Sequence, residues 1–224
     1  MTFSLVARCS DTGMFGVAIS SSSPAVAARC PYARAGVGAV SSQNITDPRL
    51  GPAVLDALET FGNANKALAE AIDPHEFRSF RQVLVVDAKG LAAVHSGERA
   101  LGNWSSATGP NVASGGNMLD NLHVPQTIVD AFIASEGHLG DRLVLALKAG
   151  LSAGGEAGPV HSAGMLLVDR VSWPVADLRC DWSDDCPIES IASLWDIYKP
   201  QLADYVKRAL NPGDAPSYGV PGDD

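Results

Sequence analysis

No stretch of this chain stays apolar for the ~18 residues that a membrane-crossing helix needs. The N-terminus also lacks a basic segment leading into an apolar one, so it carries no sign of a secretory leader, and a cytoplasmic location is expected. There is no basic run and no interleaving of basic with aromatic residues. With 16 Lys and Arg against 25 Asp and Glu, a net charge of −9 argues against nucleic acid as a partner. Cysteine is scarce: Cys9, Cys30, Cys180 and Cys186 form no C-x-x-C pair and have no histidine pair nearby. That spacing argues against zinc and suits small, reduced core residues. The common catalytic signatures are missing too. There is no G-x-S-x-G, no Walker loop and no G-x-G-x-x-G, and His75-Glu76 lacks the second histidine of a zincin helix. Neither a metal nor a cofactor is expected.

What is present suits one sizeable domain. A chain of 224 residues with 46% apolar content can build a real core over 1–210, and the Pro-, Gly- and Asp-rich tail, 211–224, is expected to be flexible. Apolar segments at 3–9, 15–21 and 36–42 read as strands, with residues 22–28 as a loop or short helical turn between the last two. Asp47-Pro48 opens a helix over 50–61, which Gly62 ends, and Asn63 caps the next helix. A hairpin pairs 82–87 with 91–95 across Ala88-Lys89-Gly90. A short strand falls within 111–119, helices fit 124–136 and 140–150, strands fit 163–168 and 175–180, and a last helix spans 187–209 with a kink at Pro200. Paired strands followed by paired helices do not make a doubly wound sheet. They suit an α+β, four-layer αββα sandwich of two antiparallel sheets flanked by helices. Trp195 and Tyr198 make the last helix suited to a homodimer interface.

Thr2 stands directly behind Met1. If the methionine is trimmed, one residue carries both a hydroxyl nucleophile and a free α-amine. With a pKa near ~8, that amine can serve as base for its own hydroxyl without a histidine.

Several segments carry a resemblance to a known family. They include Thr2-Phe3-Ser4-Leu5-Val6-Ala7-Arg8, Ala33-Arg34-Ala35-Gly36-Val37-Gly38-Ala39-Val40, Arg81-Gln82-Val83, Val86-Asp87-Ala88-Lys89-Gly90, Gly116-Asn117-Met118-Leu119 and Asp177-Leu178-Arg179. Over about residues 1–185 the chain resembles the bacterial and archaeal domain-of-unknown-function 1028 family, placed among the N-terminal-nucleophile hydrolases. The resemblance implies the αββα fold and descent from amide-bond hydrolases, and it supplies no substrate. Proteasome β-subunits are a more distant likeness, and imply a carboxylate at the end of the second strand and a lysine further on. Here those places hold Ser20-Ser21 and Arg34.

The candidate catalytic residues are therefore Thr2, Asn117 and Arg34, with Gln43 and Ser21 as substrate-binding residues. Asn117 follows Gly115-Gly116, where backbone can come close and offer amides to an oxyanion; its other reading is a left-handed turn residue. Arg34 is no base, since guanidinium stays protonated. It either lowers the amine's pKa, binds an anionic substrate group or pairs with a surface carboxylate. Gln43 follows the third strand, and Ser21 is placed to bond the Thr2 amine. Asp177 and Arg179 share one strand face and read as a structural pair. The glycine-rich stretch Gly154-Gly155-Glu156-Ala157-Gly158 reads as a flexible loop. Three functions remain open: a hydrolase of small amides or peptides, a non-catalytic binding or scaffold relative, and a hydrolase built on Ser21 or His95.

Overall fold

Two hydrophobic periods organise the chain. Among residues 1–220, which the computed structural model describes, period two supplies ten strands and three-to-four spacing supplies six helices. Strands β1 (Thr2–Arg8) and β2 (Phe15–Ser21) pair across a turn in which Gly13 takes φ +78°. β3 (Pro31–Arg34), β4 (Gly38–Gln43), β5 (Gln82–Asp87) and β6 (Ala92–Ser96) form a four-stranded sheet in that order. β7 (Ser105–Gly109), β8 (Val112–Asn117), β9 (Ser162–Val168) and β10 (Ala176–Cys180) join the first two strands in a six-stranded sheet, ordered β10-β9-β2-β1-β8-β7. Every named pairing is antiparallel.

Three apolar layers hold these sheets. Helices α1 (Leu50–Phe61) and α2 (Ala64–Ile72) bury Val54, Leu58, Leu68 and Ile72 against Val40, Val83 and Val85 on the outer face of the four-stranded sheet. Helices α3 (Val124–Ala134), α4 (Leu139–Ser152) and α5 (Pro187–Tyr198) bury Ile128, Phe132, Leu143 and Ile188 against Phe3, Leu5 and Met165 on the outer face of the other. Between the sheets lie Val6, Phe15, Val17, Ala39, Leu84, Val86, Ala113 and Val168. The architecture is thus the expected α+β, four-layer αββα sandwich. Strands buried on both faces explain the continuous apolar runs at 83–86 and 165–168.

Helix ends follow local chemistry. Gly62 takes φ +56° and its N–H returns to Leu58 O, which closes α1. Asn63 Oδ1 then accepts from Lys66 N at 3.0 Å and starts α2. Pro200 does more than kink the last helix: a 3₁₀ turn at Lys199–Gln201 splits it into α5 and α6 (Leu202–Leu210), because proline supplies no N–H to the ladder.

The structure departs from the sequence reading in several places. The third apolar segment begins at Gly38 rather than residue 36, since Gly36 takes φ +73° in the preceding turn. β3 and β7 were not expected. Both are short edge strands, one opening on proline and the other built of Ser, Ala, Thr and Gly, so neither shows a strong hydrophobic alternation. Trp195 and Tyr198 turn inward. The Trp195 indole lies over Gly140, where a Cβ would meet its ring at 2.4 Å, and donates to Asp141 Oδ1; the Tyr198 hydroxyl donates to Val175 O. Phe61, the last residue of α1, is exposed. Of the tail, Pro212–Asp214 forms a 3₁₀ turn and the Arg208 guanidinium sits 3.7 Å over the Tyr218 ring; residues 221–224 lie outside the described residues. No helix among the described residues is long and apolar enough to cross a membrane.

Candidate functional site

The layer between the sheets changes character along its length. At one end it is apolar, from Val6, Phe15 and Val86. At the other, the same inward-facing positions hold Thr2 and Ser4 on β1, Ser21 on β2, Ser41 and Gln43 on β4, Gln82 on β5 and Asn117 on β8, all buried. Thr2 is paired with Asn117 in the ladder. Its Oγ1 lies 3.2 Å from Ser21 Oγ, and both hydroxyls reach the Met1 carbonyl oxygen at 2.5 Å. The Thr2 hydroxyl therefore sits at the point where the N-terminus enters the sandwich.

Beneath Thr2 runs a closed polar network. Ser4 Oγ donates to Gln43 Oε1 at 2.7 Å. Gln43 Nε2 donates to Gln82 Oε1 at 2.8 Å and to Gly115 O at 3.1 Å. Gln82 Nε2 donates to Ser96 Oγ at 3.0 Å and to Gly116 O at 3.1 Å, while Asn117 Nδ2 donates to Gln82 Oε1 at 3.3 Å. Glycine at 115 permits this approach: a Cβ there would stand 3.3 Å from Leu84 Cδ1 and 3.5 Å from Gln82 Nε2. Buried amides that satisfy one another fix the sheet-to-sheet register under Thr2.

Above Thr2 opens a cleft of about 320 Å³, walled by Met1, Thr2, Arg29, Ile45, Leu101 and Asn117 among others. That volume suits a small ligand. Its rim stores backbone strain. Asn44 and Ile45 take φ 58° and 50°, a conformation that a β-branched residue adopts only under constraint. The constraint is visible: Asn44 Nδ2 donates to Phe80 O, Leu101 N donates to Asn44 Oδ1, and the Arg81 guanidinium donates to Ile45 O. A larger cleft, about 550 Å³ around Arg34, Glu59, Arg170 and Trp173, does not include Thr2.

One further buried carboxylate feels the charge of the N-terminus. After α4, Gly154 and Gly155 take φ +121° and +57°, and the chain turns so that Glu156 bridges to Leu119. Glu156 is 4% exposed. Its Oε2 accepts from Ser22 N at 3.1 Å, and its Oε1 is buried with no hydrogen-bond partner. Burial lifts its carboxyl to about 7, against the pull of the N-terminal ammonium and the Ser22 hydrogen bonds. The stretch read as a flexible loop thus buries an acid near enough to the N-terminal ammonium to feel its charge. The only sequence signal was a lone glutamate among glycines and alanine.

This shift has a sign. A carboxyl whose folded pKa is raised contributes stability below its ordinary value of 4.5, and that contribution is lost as the pH rises through about 7. Over that window the loss is on the order of 3 kcal/mol. Urea unfolding of Glu156→Gln should therefore show a flatter stability profile between these pH values than the parent chain. Parallel profiles would mean that folding leaves the Glu156 carboxyl unshifted.

A sequence model of a family of unknown function (DUF1028) matches residues 2–191. The chain belongs to this family. The crystal structure of protein SPO2555 from Silicibacter pomeroyi, which carries the same family model, superposes at a TM-score of 0.85 and 28% identity, covering 92% of this chain and 90% of that one. Anbu (Gly-1) mutant from Hyphomicrobium sp. strain MC1 aligns at 13% identity and a TM-score of 0.44, over 90% of this chain and 96% of its own. Anbu (ancestral beta-subunit) from Yersinia bercovieri aligns at 10% and 0.44, over 92% and 97%. No curated protein matches the chain.

In this DUF1028 chain the structure brings Thr2, Ser21 and Asn117 together and leaves Arg34 apart. Arg34 follows Tyr32 at period two, so it faces α1, where it pairs with Asp56 and Glu59 at 2.7 Å each. It also lies at the Gly38 end of β4, away from Gln43. The surface-pair reading of Arg34 is the one the geometry gives. Gln43 is engaged in the network beneath Thr2 rather than in the cleft wall. Asn117 is an extended β8 residue; the left-handed position belongs to its neighbour Met118, at φ 50°. Gly115 and Gly116 present carbonyls to Gln43 and Gln82. His95 bonds Arg78 O and its β6 position pairs with Val83, whose side chain lies in the α1/α2 layer, so it is not beside Ser21. Asp177 and Arg179 do pair, at 3.1 Å. Among the described residues no group of three His, Cys, Asp or Glu side chains is arranged to hold a metal.

Proposed function

We propose that this protein, once Met1 is removed, is an N-terminal-nucleophile hydrolase of small amides or short peptides, with Thr2 as nucleophile. One observation carries the reading. The Thr2 hydroxyl, 3.2 Å from Ser21 Oγ, stands beside the chain's amino terminus in the wall of a cleft sized for a small molecule. In this reading Thr2 Oγ attacks the amide carbonyl carbon while its proton passes to the α-amine. The oxyanion that forms accepts from Asn117 Nδ2. The C–N bond breaks as the ammonium returns the proton to the leaving amine. Water then adds to the Thr2 ester, gives a proton to the α-amine and releases the acid, and the threonine oxygen recovers the proton. Ser21 and Glu156 act as positioning groups that orient the amine.

Intact-mass measurement of the untagged protein, followed by an amide and dipeptide screen, tests this. The chain beginning at Thr2 should hydrolyse at least one small amide, and the same chain with Met1 retained should not. Equal activity in both forms would place the chemistry on a group other than Thr2, and no activity in the trimmed form would leave the binding-protein reading, in which the cleft only captures its ligand.

A further inference from the structure

We infer that Arg29 holds a carboxylate of the substrate, so that the amides accepted by this cleft are small and anionic; the inference builds on Thr2 as the nucleophile of that site. Arg29 is the one cleft residue with a charged side chain. Its Nη1 donates to Pro24 O at 2.7 Å and to Ala25 O at 2.9 Å, which uses both of that nitrogen's protons and pins the guanidinium. The turn that carries it is itself anchored: Ala25, at φ 51°, donates its N–H to Asp181 O, and Val26 N donates to Ser162 Oγ.

Among the described residues Arg29 has no carboxylate partner, unlike Arg34, Arg49, Arg78 and Arg179. Among the described residues the Nε and Nη2 edge makes no hydrogen bond, and that edge is the fork that grips a carboxylate through two parallel hydrogen bonds. A fixed, unneutralised guanidinium in a cleft whose walls carry no acid selects an anion over a neutral or cationic group. The cleft also offers apolar surface from Ile45 and Leu101, 51% and 44% exposed, to the remainder of the ligand. Its volume of about 320 Å³ favours a single small unit over a long peptide. Two amide classes share this chemistry: N-acyl amino acids, with the carboxylate on the amine side, and monoamides of dicarboxylic acids, with it on the acyl side.

Calorimetric titration decides the matter on a chain trimmed to its second residue and carrying Thr2→Ala, which binds without turnover. The probes are N-acetylglycine, succinic acid mono-methylamide and the neutral N-acetylglycinamide. At least one acid should bind ~10-fold or more tightly than the neutral amide, and which acid does so assigns the side of the carboxylate. Arg29→Gln should erase the preference, with Arg29→Lys intermediate because it keeps the charge but not the fork. Equal binding of all three probes by the chain with native Arg29 overturns the inference without any Arg29 variant. So does a preference that survives in folded Arg29→Gln. Because this readout needs no catalysis, anion selectivity without turnover in the native-Thr2 chain would sink the hydrolase reading alone. Turnover of neutral amides without anion selectivity would sink the Arg29 inference alone.

Discussion

Thr2→Ala should lower amide turnover by ~10³-fold or more, since it removes the only atom that forms the covalent intermediate. Its melting temperature should stay close to that of the parent. In the trimmed chain the contact left to the threonine hydroxyl is Ser21 Oγ, so about 1 kcal/mol of stability is at stake. Thr2→Ser keeps the nucleophile and should retain most of the activity. Trimmed variants, compared by initial rate and by differential scanning calorimetry, provide the check. An alanine variant that turns over substrate like the parent would remove Thr2 from the chemistry altogether, and a serine variant as dead as alanine would show that the residue matters for its shape.

The second large effect is on stability. Gln82→Leu should destabilise the protein by ~3 kcal/mol or more. Gln82 Oε1 accepts from Gln43 Nε2 and Asn117 Nδ2, and its Nε2 serves Ser96 Oγ and Gly116 O. Leucine leaves those buried groups unpaired, and each such orphan costs ~1–3 kcal/mol. Gln43→Leu should behave alike. The double variant should lose less than the two single losses together, because both break the same links. Urea midpoints measure this directly. A Gln82→Leu protein as stable as the parent would mean that the amides are not coupled across the sheets.

Much of the fold was legible because burial on two faces and helical spacing leave strong marks. Val83, Val85, Leu84 and Val86 fill two different apolar layers, so the segment reads as continuous apolar sequence and could only be a central strand. Asn63 and Gly62 announced helix ends through chemistry that acts within one turn. Edge strands β3 and β7 left no such mark. That Asn117 lies beside Thr2 was legible, because the two are partners in a ladder. Strand parity, rather than separation along the sequence, decides where Arg34 points; Tyr32, two residues before it, packs on α1 and predicts the same outward direction. Ser4 and Gln82 could have been found the same way, as polar residues at positions whose strand neighbours two places on, Val6 and Leu84, face the gap between the sheets. Glu156 could not. Its role depends on the loop geometry after α4, and no periodicity encodes that.

The carbonyl of Met1 occupies both hydroxyls that surround the proposed nucleophile. Whatever stands ahead of Thr2 in the chain is therefore a lock on it, chemically as well as sterically. A purification handle or a leftover protease-site residue at that end would give a well-folded protein that looks inert in every screen. Handles belong at the other terminus, and a negative assay on N-terminally extended material says nothing about this cleft.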